Sequence, residues 1–170
     1  MDFTTLNAIC RTYEHNTKVL HWGACGHKFD RVHNLCDDFE KMFHDDVDFA
    51  GETGLRLGQN PPSFDKIVSI LENSDHNYLI CQFKNVDYDE AIKSFQKMFA
   101  DVMQALLELH ESELMQKPEN MGIKSEIEAI YNKYDFQLRY LNKRRLGSCD
   151  SGDPAPAPDP GREVIHDDDE

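Results

Sequence analysis

Between His21 and Asp37 the sequence reads HWGACGHKFDRVHNLCD. His21 and His33 stand twelve positions apart, Trp22 follows the first, and Asp37 lies one helical turn beyond the second. Eleven residues later comes Asp48, and Glu52 is again one turn further on. Imidazole nitrogens and carboxylate oxygens together make a donor set suited to iron, and also to manganese or zinc. The same residue types also suit a solvated helix face, where charged side chains usually sit. Residue type alone leaves both readings open.

Geometry narrows the choice. At about 100° per residue, with Phe29 as zero, His33 falls near 40°, Asp37 near 80°, Asp48 near 100° and Glu52 near 140°, all beside an apolar stripe centred near 315°. His44 falls in the same sector, so facing alone does not select ligands. Asp37 and Asp48 are separated by about 16 Å along one helix and cannot hold the same ion from one chain. If both serve one site, a second copy must bring its helix antiparallel across a two-fold axis. His21, His33 and Asp37 of one chain would then meet the carboxylates at positions 48 and 52 of the other, giving two equivalent sites per dimer. A rival zinc site could use Cys25, His27, His33 and Cys36. Structural zinc, however, favours short paired ligand knuckles, and Cys36 already belongs to the apolar stripe. Cys10 and Cys81 are expected to pack as small hydrophobes.

The elements that must position these groups are helices. Leu6, Ile9, Tyr13 and Leu20, with Phe3 before them, predict a first helix to about residue 23, where Gly23 and Gly26 interrupt. Phe29, Val32, Cys36, Phe39, Phe43, Val47 and Ala50 form one stripe, stopped by Gly58 and the Pro61-Pro62 pair. A third stripe runs from Phe95 to Leu109 and a fourth from Ile123 to Leu141, with Pro118 and Gly122 between them. The long connection from Gly58 to about Asp87 holds a short helical piece, SFDKIVSILEN, with Ser63 as its N-cap. The hexapeptide YLICQF (78–83) reads equally as a strand or a buried loop. The pattern predicts an all-α, ferritin-like four-helix bundle whose long second-to-third crossover carries a short helix.

Composition bounds the partners. The chain has 170 residues, 39% of them hydrophobic and 29% charged, and a net charge of −14. Phosphate backbones call for clustered Lys and Arg, so this balance speaks against nucleic acid and for cations. No run approaches the roughly 20 apolar residues of a membrane span. The N-terminal residues lack a basic-then-apolar leader, and five scattered cysteines do not form a disulfide framework, so a cytoplasmic protein with reduced thiols is expected. From Gly147 to Glu170 eight acids face one base, Arg162, amid Pro, Gly and Asp. The expected division is a bundle domain over 1–146 and an acidic tail, 147–170, too polar to order itself.

These residues resemble the Dps proteins, or miniferritins. The likeness rests on H-W-x₃-G-x₂-F-x₃-H, present as His21, Trp22, Gly26, Phe29 and His33, then Asp37, and D-x₃-E as Asp48 and Glu52. LRLGQNPPS resembles the family's Leu-Gly-Gly-x-Pro, with Gln59 in place of the second glycine. The resemblance covers about residues 5–144, and its specific part is 21–63. It implies a hollow dodecamer that oxidises Fe(II), preferably with hydrogen peroxide rather than dioxygen, stores the ferric product and protects against oxidative stress. It places His21, His33 and Asp37 opposite the 48 and 52 carboxylates of a two-fold mate, with Trp22 beside the site. Glu119, Glu126 and Glu128 are candidates for acidic threefold pores. Many members contact DNA through a basic N-terminal arm. Here no such arm precedes the first helix and the tail is acidic, so direct DNA contact is not expected. The expectation is thus an iron-oxidising, iron-storing miniferritin. The alternatives are a non-catalytic metal-binding or assembly module of the same fold, and a DNA-protecting nucleoprotein.

Overall fold

The computed structural model describes residues 1–73 and 85–145. The YLICQF segment with Cys81, Cys149 and the acidic stretch 147–170 lie outside the described residues. The described part is helical: α1 (Phe3–Gly23), α2 (Phe29–Arg56), the short α3 (Phe64–Glu72), α4 (Tyr88–Glu111) and α5 (Met121–Arg145), with two 3₁₀ turns between α4 and α5.

Side-chain caps start α1, α3 and α4. Asp2 accepts from the Thr5 amide at 2.8 Å, Ser63 from Lys66 at 3.4 Å and Asp87 from Glu90 at 2.9 Å, each satisfying a donor that the helix cannot. Gly58 closes α2 with φ +75°, a conformation that costs other residues a steric clash. Two boundaries differ from the sequence reading. The third long helix begins at Tyr88, seven residues ahead of the Phe95 stripe, because Tyr88, Ala91 and Ile92 extend its buried face. Gly122 lies inside the first turn of α5 rather than ahead of it.

Contacts between named residues fix the topology. The α1 end meets the α2 start across a short turn, and the Phe3 amide donates to Gln59 Oε1 just past the α2 end, so α1 and α2 are antiparallel. The chain returns to the turn end of this hairpin before α4: the Cys25 amide donates to the Val86 carbonyl at 3.0 Å and the Val86 amide to Gly23 at 2.8 Å. α4 therefore runs alongside α2, and α5 turns back against α4, with Gln96 bonded to Asn142 near one end and His110 to Glu128 nearer the other. The result is a four-helix bundle with one long crossover, 57–87, that includes α3.

The core is aromatic. Phe39 of α2 packs edge-on against Phe95 and Phe99 of α4, both at 4.8 Å between centroids, and Tyr134 of α5 joins Phe99 at 5.3 Å. Gly54 allows α1 and α2 to approach closely: a Cβ there would stand 3.2 Å from Phe3 Cβ. Two polar clasps tie the hairpins together. The Tyr13 hydroxyl of α1 donates to Asp101 of α4 at 2.5 Å, with Lys97 on the same carboxylate. The Tyr134 hydroxyl of α5 donates to Asp46 of α2 at 2.6 Å, with Lys133 at 2.7 Å. Asp46 is only 4% exposed, and burial raises its carboxyl pKa against the opposing pull of Lys133 and the two hydrogen bonds.

Candidate metal centre

His21 lies in the last turns of α1 and His33 one turn into α2. The tight connection through Gly26, at φ +87°, brings their rings to 3.8 Å between centroids. Phe29 packs on His33 at 4.1 Å and fixes that ring from one side. His21 Nε2 is sealed from solvent and has no hydrogen-bond partner among the described residues, and Asp37 Oδ1 is 3.6 Å away. An unmet buried nitrogen costs free energy that a cation or a water molecule would recover. Asp37 itself is largely exposed, one turn beyond His33.

The sequence-selected residues therefore divide. His21, His33 and Asp37 gather at the turn end of the α1–α2 hairpin. Asp48 and Glu52 are exposed near the other end of α2, about 16 Å along the helix. Among the described residues no three His, Cys, Asp or Glu side chains of one chain converge closely enough to hold an ion. The Cys25, His27, His33, Cys36 alternative falls here as well: Cys36 is 1% exposed in the core, where burial pushes its thiol up to about 12. Cys10 is buried too, with its thiol pushed up mainly by burial. Trp22 follows His21 but is 74% exposed.

Residues outside the original set also matter. His44 bridges the two helices, its Nδ1 3.0 Å from Glu14 Oε1 and its Nε2 3.7 Å from Asp48 Oδ2. Its sector on the helix had marked it, but Glu14 lies on another helix and gave no signal. Asp46 was missed altogether. Its helical angle, about 260°, falls at the edge of the apolar stripe and was the available clue. Of the pore candidates, Glu128 pairs with His110 at 2.8 Å, and Glu119 and Glu126 are exposed.

No protein-family model and no curated protein matches the sequence. Solved structures do. A Dps protein from Vibrio cholerae O1, described as belonging to a broad superfamily of ferritin-like diiron-carboxylate proteins, superposes with a TM-score of 0.70 at 17% identity, over 84% of this chain and 85% of that one. The fold is that of the Dps proteins. Dps from Listeria monocytogenes matches at TM-score 0.67 and 21% identity, over 86% and 94% of the two chains. Dps92 from Deinococcus radiodurans gives 0.67 and 20%, over 82% of each. Within this Dps fold the crossover and short α3 occupy the places the sequence pattern assigned to them. No helix among the described residues is long and apolar enough to cross a membrane.

Proposed function

We propose that this protein oxidises Fe(II) and stores the ferric product, using sites shared between two-fold-related subunits. The observation that carries the reading is the sealed, partnerless His21 Nε2 beside His33 and Asp37. It forms half of a donor set at one end of α2, and the other half stands at the far end of the same helix. An antiparallel α2–α2 pairing would bring the partner's Asp48 and the partner's Glu52 to that half-site. Exposed Trp22 and Leu55, toward opposite ends of the α1–α2 hairpin, offer apolar surface for such a pairing. The reading includes a homododecameric shell built from these dimers.

Iron is the substrate. The carboxylates hold Fe(II) and favour the ferric product, because anionic oxygen donors stabilise the higher charge. The imidazoles complete the donor set through their ring nitrogens. With hydrogen peroxide as oxidant, two Fe(II) ions each give one electron, the O–O bond breaks, and two protons are taken up to form two water molecules. No hydroxyl radical is released, which gives the reaction its protective value under oxidative stress.

The deciding experiment adds Fe(II) anaerobically to pure protein, then hydrogen peroxide or air, and follows ferric absorbance in stopped flow. Rapid oxidation, well above that of buffer, is expected, with a fall in rate in the His21→Ala/His33→Ala variant. Wild-type protein that oxidised iron no faster than buffer would leave the fold serving as a non-catalytic module.

A further inference from the structure

An open cleft of about 1070 Å³ lies between α2 and α5. Its polar character runs against that of the chain. Six bases line it, Lys28, Arg31, Lys41, Lys133, Lys143 and Arg144, against two acids, Asp38 and Asp45. The whole molecule has only 18 bases among 32 acids. One third of all the positive charge of a −14 chain is thus gathered into one groove.

Pairing within the groove sorts these bases. Lys133 is neutralised by Asp46 at its floor, and Lys41 lies 3.9 Å from Asp45. Lys28 sits 4.6 Å above the Tyr88 ring and Arg144 4.4 Å above Tyr140. Among the described residues no carboxylate lies within ion-pair distance of Lys28, Arg31 or Arg144. α2 and α5 are antiparallel, and Asp46 meets Lys133 midway. Moving toward the start of α2 therefore means moving toward the end of α5. Lys28, Arg31, Lys143 and Arg144 consequently stand at the same mouth, and the row from Lys28 to Lys41 is about 20 Å long. Charges on both walls over that length fit an extended polyanion better than a single small ion.

The sequence supplies such a polyanion at that mouth. α5 ends at Arg145, and the stretch 147–170 follows at once, with eight acids and one base. Twenty-four residues reach up to about 80 Å, several times the length of the cleft. Tethering also gives the stretch an effective concentration on the order of millimolar, which a free polyanion must overcome.

We propose that the α2–α5 cleft is a polyanion-binding groove and that its resident occupant is the acidic stretch 147–170 of the same chain. The groove is thereby screened from external phosphate polymers, which bind only when that stretch is displaced or neutralised. The proposal does not depend on the iron chemistry.

The test uses the full chain. A mixture of isotopically heavy and light protein is treated with a carbodiimide at low ionic strength, and the new amide links are read by mass spectrometry. Links are expected from acids of 147–170 to Lys28, Lys41 or Lys143 within one chain. They should disappear in about 1 M salt, where charges are screened beyond roughly 3 Å. They should also fall in an Arg31→Glu/Arg144→Glu variant whose melting curve is unchanged. Links made equally to Lys97 and Lys124, which lie outside the groove, or made only between chains, would overturn the proposal. A second arm measures binding of inorganic polyphosphate to the wild type and to full-length D167N/D168N/D169N/E170Q. Binding about tenfold tighter in the variant is expected. Equal binding to both proteins would mean that the groove has no such occupant.

Discussion

The rings of His21 and His33 stand 3.8 Å apart although they belong to different helices, and only a five-residue turn separates those helices. The pair is held by the hairpin itself and needs no second copy. What it lacks is carboxylate: among the described residues Asp37 is the one acid within 4 Å of His21, at 3.6 Å.

Complementation between variants is the first expectation. His21→Ala/His33→Ala and Asp48→Ala/Glu52→Ala should each lose rapid peroxide-dependent iron oxidation while keeping their helical circular dichroism. After subunit exchange, a mixed dimer holds one site with every ligand and one that keeps only Asp37, so activity should return in proportion to the mixed fraction. Confirmed exchange with no recovery would falsify the shared site, even if wild-type oxidation were real.

The Asp46 clasp should be a stability determinant. Asp46→Ala leaves the fully buried Tyr134 hydroxyl without an acceptor and Lys133 without its counter-charge. The cost should be about 2–3 kcal/mol, seen as a lower midpoint in urea unfolding. A midpoint within error of wild type would show that Lys133 and Tyr134 find other partners.

Thiol reactivity should split the described cysteines. Cys25 is partly exposed, whereas Cys10 and Cys36 are buried. In native protein near neutral pH an alkylating reagent should modify Cys25 and spare the other two until denaturant is added. The Cys36 pKa, pushed up to about 12 chiefly by burial, also has a linkage consequence. Above the ordinary thiol pKa of 9.0 the unfolded chain loses this proton and the folded chain keeps it. Stability should therefore fall as pH rises from there toward about 12, and Cys36→Ala should flatten that part of the curve. Calorimetry across the alkaline range reads this directly.

Gly54 should tolerate no bulk. A Cβ alone would stand 3.2 Å from Phe3 Cβ, so Gly54→Val must push α1 from α2. A loss of about 2 kcal/mol is expected, together with reduced iron oxidation because the helices that carry the half-site shift. Unchanged thermal unfolding would show that the α1 start yields freely.

The helices were legible in the sequence because their stripes are long and regular, and Ser63 announces the start of α3. The first turns of α4 were not, since Ala91 is too small to weigh in a hydrophobic pattern. His21, His33 and Asp37 could be picked out by spacing because a single turn joins their helices. The link from His44 to Glu14 and the burial of Asp46 depend on partners 30 or more positions away, and no local pattern reports such pairings.

The two tyrosine–aspartate clasps have a mechanical meaning. Aromatic faces such as Phe39 on Phe95 and Phe99 adhere, but they can slip past one another by a ridge at little cost. Tyr13 with Asp101, and Tyr134 with Asp46, act as two dowels driven through the joint from opposite sides, one from each hairpin into the other. A single pin stops sliding and still allows a pivot; two pins at separate points stop both. The α1–α2 hairpin is in this way locked in azimuth as well as in height against its neighbour. Any assembly that mates one α2 with another inherits that alignment ready-made.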